Sequence, residues 1–316
     1  MSPLWQMRIS LRANICYQCP MMRKTAVSLV PMHTTLISAA DLQQRLHDPD
    51  VIIVDCRFEL SINKASVEAG RNAYRHSHIP GALYAHLNED LSGPISQGTG
   101  RHPLPDARVL ASTFSRWGID NTKQVITYDA DNGAMAARLW WLLRWLGHDG
   151  VAVLNGGLKG WLAAGFDTSN AVFAPRATHF TGMPQASMVV DAKEVGARAM
   201  QSDWRVLDAR APERFAGKSE PIDPVAGHIP GAVNYPMSLN VQSNGQWQPA
   251  ATLRTQFVAT LGSVTGSHTI AMCGSGVTAS HNLLALEIAG IHGAKLYAGS
   301  WSEWITDSSR PVATES

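Results

Sequence analysis

Short apolar runs rich in β-branched residues alternate along this chain with longer segments of helical period. A helical segment over 39–46 precedes the run Val51-Ile52-Ile53-Val54, which ends in Asp55-Cys56-Arg57. After a loop, His78-Ile79-Pro80-Gly81-Ala82 leads into another short apolar run. Helical spacing returns over 105–117, and the strand-like run Val125-Ile126-Thr127-Tyr128 ends at Asp129. A strongly apolar helix over 136–146 and a last strand over 151–154 complete the series. The same order then repeats. A helix over 191–200 precedes Trp204-Arg205-Val206-Leu207, which ends in Asp208-Ala209-Arg210. His228-Ile229-Pro230-Gly231-Ala232 recurs letter for letter, followed by a helix over 250–261. A strand ends at Cys273, and a helix over 278–289 and a strand over 294–297 follow. Asn155-Gly156-Gly157 with Trp161 answers to Ala298-Gly299-Ser300 with Trp304.

This pattern describes a duplicated domain of about 130 residues rather than a solenoid. Strands alternating with helices predict an α/β fold, each copy a mostly parallel sheet with helices on both faces. The copies span 36–169 and 188–316, joined by a turn-rich linker over 170–187, with a tail over 1–35.

Composition adds bounds. At 316 residues, with 45% hydrophobic and 16% charged positions, the chain can bury two ordinary cores. A net charge of +1 gives no reason to expect nucleic acid or an anionic membrane as partner. The longest apolar region, 139–146, is interrupted by Arg144 and falls short of the roughly 18 residues of a membrane span. Four cysteines are too few for a disulfide scaffold, so a reducing, cytoplasmic setting is the expectation. A monomer is expected as well. The first acidic residue is Asp41, and the basic start before it fits a mitochondrial transit peptide or a start assigned too early, with Met21, Met22 or Met32 as the true one. Cys16 and Cys19 form a lone CxxC in this tail, a weak metal or redox signal beside the plainer expectation of an unstructured segment.

The chemistry concentrates in Met272-Cys273-Gly274-Ser275-Gly276-Val277-Thr278-Ala279. Cys273 ends a strand at the carboxyl edge of its sheet, where open α/β folds place ligands. Gly274 and Gly276 let the chain curl around the sulfur, Ser275 and Thr278 offer hydroxyls, and a helix begins at Thr278 or the residue before it. Backbone N–H groups and the positive end of a helix favour a thiolate and a charged sulfur bound to it. A core cysteine would not need two glycines in the next three positions. A phosphatase loop would need an arginine six residues after the cysteine, where Ala279 stands. Cys56, between Asp55 and Arg57, answers to Ala209 and reads as a bystander. Asp129 occupies the place of Cys273 in the first copy, which is therefore expected to be catalytically silent and to wall the site.

The doubled His-Ile-Pro-Gly-Ala, the Asp-x-Arg runs, Asn155-Gly156-Gly157-Leu158-Lys159-Gly160-Trp161 and Gly299-Ser300-Trp301-Ser302-Glu303-Trp304 together resemble the rhodanese superfamily, specifically its tandem-domain thiosulfate and 3-mercaptopyruvate sulfurtransferases. The resemblance runs from about residue 36 to 311. It implies two rhodanese-like domains and a ping-pong sulfur transfer. Cys273 is then the persulfide-forming nucleophile, with Ser275 and His102 handling a proton. Arg214 would grip the donor anion, and Gly274, Gly276, Val277 and Thr278 would line the loop. The uncharged Gly274 and Ser275 resemble the mercaptopyruvate type, whereas the thiosulfate type usually carries Arg-Lys there. The implied partners are a small anionic donor and a thiol, cyanide or protein-cysteine acceptor, with no metal or organic cofactor. Thiosulfate as donor, and a persulfide carrier serving only a protein partner, are the alternatives.

Three features depart from the family pattern. The acid expected beside His102 falls near Asn88, next to Glu89 and Asp90. A second substrate arginine is expected between Arg214 and His228 but is missing, and the first-domain tyrosine is missing around 134–136. His78 and His228 are expected to tie a loop to the sheet.

Overall fold

A computed structural model of the chain describes residues 32–60 and 68–315. The Cys16–Cys19 pair and the candidate starts Met21 and Met22 lie outside the described residues. The first five strands are β1 (Leu36–Ile37), β2 (Val51–Asp55), β3 (Leu83–Tyr84), β4 (Gln124–Tyr128) and β5 (Val151–Leu154). They form one sheet in the order β1-β5-β4-β2-β3. The next five are β6 (Val189–Val190), β7 (Arg205–Asp208), β8 (Val233–Asn234), β9 (Thr269–Met272) and β10 (Lys295–Tyr297), in the matching order β6-β10-β9-β7-β8. Every pairing of these strands is parallel. The fold is thus α/β with two like sheets. The central strands β4 and β9 are buried along their whole length, as apolar strands covered on both faces must be.

The helices of the first half are α1 (Ala39–Gln44), α2 (Ala69–His76), α3 (Ala107–Arg116), α4 (Ala136–Trp145) and α5 (Gly157–Ala163). Those of the second half are α6 (Ala192–Arg198), α7 (Pro212–Phe215), α8 (Ala250–Leu261), α9 (Thr278–Ile288) and α10 (Ser300–Trp304). Side-chain caps start three of them: Ser38 accepts from Asp41 N, Asp106 from Arg108 N and Val109 N, and Asp191 from Glu194 N. The short helices α2, α5, α7 and α10 and the two-residue strands β1 and β6 were not legible as periodic segments, being too short to show a period. The outer face of each sheet carries its own core, around Trp161 in one half and Trp301 and Trp304 in the other. The inner faces share a third core, in which α4 packs against α9. Both helices are apolar nearly all round, which is the pattern of a helix buried on every side.

The repeated motifs are clamps. Arg57 Nη2 bonds Asp55 Oδ2 at 2.7 Å and the Ser77 carbonyl at 2.6 Å; Arg210 Nη2 bonds Asp208 Oδ2 and the Gly227 carbonyl, each at 2.7 Å. His78 Nδ1 meets the Tyr74 carbonyl, and His228 Nδ1 the Phe215 carbonyl. Both histidines also pair antiparallel through the backbone with the segment leaving their half, at Ser169 and Ala313. Their tie is therefore to a helix end and to the exit segment, not to the sheet.

Candidate active site

Cys273 follows the last residue of the central strand β9 and is 2% exposed. Its loop is held from outside. Cys273 N–H donates to Ser300 Oγ at 3.0 Å, while Trp301 and Ser302 N–H donate to the carbonyls of Cys273 and Gly274. Ser300 itself has φ of 53°, the one positive value off glycine among the described residues. Gly276 turns the chain with φ of +77°, and its N–H points at Cys273 Sγ at 3.1 Å. A Cβ there would collide with the Ala298 carbonyl. Gly274 is different. Its φ is ordinary, and what it supplies is room, because a Cβ would sit 2.9 Å from Arg101 Nη2. Val277 is buried, and Thr278 opens α9.

A cleft of about 730 Å³ opens over this loop, lined from both halves. Gly274, Ser275, Val277 and Thr278 all border it, and Phe58, Leu60, Ile95 and Ile222 make its apolar wall. Its polar side holds two arginines. Both guanidiniums close on Gly274, with Arg214 nitrogens 3.5 and 3.6 Å from the position of its missing Cβ. Arg214 is anchored by Glu220, its Nε 3.0 Å from Oε1 and its Nη2 2.7 Å from the same oxygen. Asp223 spans both arginines, bonding Arg101 Nη1 through Oδ1 and Arg214 Nη2 through Oδ2 at 3.2 Å. Burial, together with the neighbouring Arg214, pulls Arg101 below the usual arginine range, and the Cys273 sulfur opposes that shift. No second arginine follows Arg214 in its own loop, but the other half places the Arg101 guanidinium beside it. Sequence reading missed Arg101 although it directly precedes His102; that adjacency was the available signal.

His102 meets Ser275 across the halves, with Nδ1 2.7 Å from Oγ. Burial, with the charges of Arg138 and Arg101, pushes the ring down to about 3, so it is neutral at physiological pH. In its Nε2–H tautomer, Nδ1 accepts the Ser275 hydroxyl proton. Asn88 borders the same cleft, but no carboxylate pairs with the His102 ring among the described residues. Cys56 is buried beside Asp55, Asp129 and Asp90, and burial pushes its thiol well up, against any nucleophilic part. Glu68, His86 and Glu89 cluster elsewhere, and Arg71 already supplies their cation, 2.6 Å from Glu89 and 3.4 Å from Glu68.

In the first half, the loop after β4 holds an anion of its own. Asp129 Oδ1 accepts from Gly133 N at 2.9 Å and Asp131 N at 3.3 Å, and Oδ2 from Met135 N at 2.8 Å and Ala136 N at 3.1 Å. A loop in this place of the fold is thus a nest of N–H donors.

The rhodanese-like domain family matches residues 38–164 and 191–307. A Pseudomonas aeruginosa protein named "Probable 3-mercaptopyruvate sulfurtransferase" is 49% identical over 281 residues, covering 88% of this chain and 98% of that protein. The thiosulfate/3-mercaptopyruvate sulfurtransferase 2 of Arabidopsis thaliana is 32% identical, over 89% of this chain and 87% of its own. Among solved structures, the 3-mercaptopyruvate sulfurtransferase from Leishmania major superposes with a TM-score of 0.77 at 29% identity, covering 89% of this chain and 77% of that one.

Proposed function

The chain belongs to the rhodanese family as a tandem-domain sulfurtransferase, and from that premise we propose that Cys273 takes sulfur from 3-mercaptopyruvate and passes it on as a persulfide. The observation that carries the choice of donor is the Ser275–His102 hydrogen bond of 2.7 Å. Thiosulfate surrenders its outer sulfur with no proton transfer to carbon. A mercaptocarboxylate does not, because breaking its C–S bond leaves a carbanion that must be protonated.

The Cys273 thiolate attacks the donor sulfur and forms an S–S bond while the C–S bond breaks, its electron pair leaving on the enolate carbon. Ser275, backed by neutral His102, takes the donor thiol proton and returns it to that carbon, giving pyruvate and the Cys273 persulfide. Arg101 and Arg214 hold the donor carboxylate in the manner in which they already hold Asp223. The Gly276 N–H, already on Sγ, stabilises the charged sulfur. A second nucleophile, either a thiol, cyanide or a protein cysteine, then attacks the outer sulfur and frees the thiolate.

The uncharged Gly274 and Ser275 support the same donor, since the loop itself adds no cation to Arg101 and Arg214, whose charges Asp223 and Glu220 already offset. Steady-state turnover of wild type and Ser275→Ala on both donors tests the reading. Wild type is expected to prefer 3-mercaptopyruvate, and the variant to lose roughly a hundredfold on that donor while keeping its thiosulfate rate. Equal losses on both donors, or a wild-type preference for thiosulfate, would overturn it.

A further inference from the structure

Arg138 is wholly buried in α4 of the silent half and donates only to backbone carbonyls. Its Nε and Nη2 reach the Leu91 carbonyl at 3.4 and 3.3 Å, and Nη2 also reaches those of His102 at 3.2 Å and Pro103 at 3.4 Å. Nη1 crosses to the catalytic half and donates to the Gly276 carbonyl at 3.3 Å. No carboxylate lies within ion-pair reach of it among the described residues. An uncompensated buried charge costs several kcal/mol, so a fold that needed only a filler or a hydrogen-bond donor here would do better with a neutral side chain.

The opposite half makes the comparison. His281 of α9 reaches back to the silent loop, its Nε2–H donating to the Asn132 carbonyl at 3.0 Å while Nδ1 accepts from Asn240 Nδ2 at 3.1 Å. Each central helix thus sends one side chain to a carbonyl of the other half's loop. The loop that encloses its own carboxylate, Asp129, receives a histidine that burial keeps neutral; the loop that opens with the Cys273 thiol receives a guanidinium.

We propose that Arg138 is a positioning residue for the catalytic loop, whose charge is the internal counter-ion of Cys273 in its thiolate and persulfide states. It acts through Gly276, whose carbonyl it holds and whose N–H meets the sulfur, and through the His102 backbone. This rests on Cys273 being the nucleophile. Burial lowers Arg138 to about 10, which leaves it charged at neutral pH, and the only influence opposing that shift is the Cys273 sulfur. The other cations bordering the cleft among the described residues are Arg101, Arg210 and Arg214, each already paired with Asp208, Glu220 or Asp223. Among the described residues, Arg138 has no such partner to neutralise it.

Two replacements separate charge from hydrogen bonding. Arg138→Lys keeps the cation with fewer donors; Arg138→Gln keeps amide donors without the cation. Single-turnover sulfur loading with 3-mercaptopyruvate should fall at least roughly tenfold further in Arg138→Gln than in Arg138→Lys, with the donor KM of both close to wild type. A lysine variant no faster than the glutamine one, or a loss confined to KM, would overturn the proposal. A wild-type measurement decides independently of whether either variant folds. A persulfide on Cys273 places an anion beside the buried cation, whereas capping the same sulfur as a neutral methyl disulfide does not, so the sulfur-loaded protein should show a higher thermal midpoint than the capped one. An unchanged or lower midpoint in a preparation shown by mass to carry the persulfide would overturn the counter-ion role. Failure of Cys273 to take up sulfur at all would instead sink the reading on which it rests.

Discussion

Asp223 stands where the donor's carboxylate is proposed to bind, bridging Arg101 and Arg214 with a side chain that is itself buried. Binding must therefore exchange one carboxylate for another, and the resident one raises the KM of any anionic donor. Asp223→Asn keeps the size and removes the charge, so it should lower the KM for 3-mercaptopyruvate by roughly threefold or more. An unchanged or higher KM would mean that Asp223 orients the arginines rather than competing for them. The buried histidines have a consequence for stability. Burial holds His102 at about 3 and His281 at about 4, whereas an exposed ring takes a proton near 6.5. Between those values the unfolded chain binds more protons than the folded one, so both rings withdraw stability as pH falls below about 6.5. The loss in urea midpoint from pH 7 to pH 5 should accordingly be smaller in His281→Asn than in wild type. Identical losses would contradict a neutral buried ring.

At the scale of elements, the unit that matters is β9, the loop after it and α9. It was legible in the sequence because it is contiguous: an apolar run, a cysteine, two glycines in three residues and an apolar helix. The two glycines nonetheless do different jobs, one supplying a left-handed turn and the other space for a guanidinium. Gly276→Ala should lose most of its activity and about 1–3 kcal/mol of stability, since it combines positive φ with a clash against the Ala298 carbonyl. A variant with wild-type stability and turnover would show that the loop can be built another way. Arg101 was not legible as a substrate group, because its contact with Asp223 joins positions 122 residues apart. Arg138 was hidden for another reason. A single arginine in an apolar helix reads as the edge of an amphipathic face until packing shows that the helix has no exposed face.

At the scale of the molecule, duplication made the fold readable. Two sheets with the same strand order follow from a pattern written twice, and the first half carries Asp129 in the place where the second carries Cys273. The first half still lines the cleft over Cys273. It supplies Arg101 and His102 to the cleft and Arg138 behind the loop, through an inner core that both halves share. Alignment of one half on the other reveals none of these three, since each acts across the boundary between the copies.

The central claim is that sulfur passes through Cys273. Mass spectrometry of the intact chain and of its peptides after brief exposure to 3-mercaptopyruvate measures this directly. One added sulfur is expected on the peptide carrying Cys273, lost again on addition of cyanide or thiol and absent from Cys273→Ser. Sulfur on Cys56 or on a tail cysteine instead, or a Cys273→Ser variant that still turns over at the wild-type rate, would contradict the account.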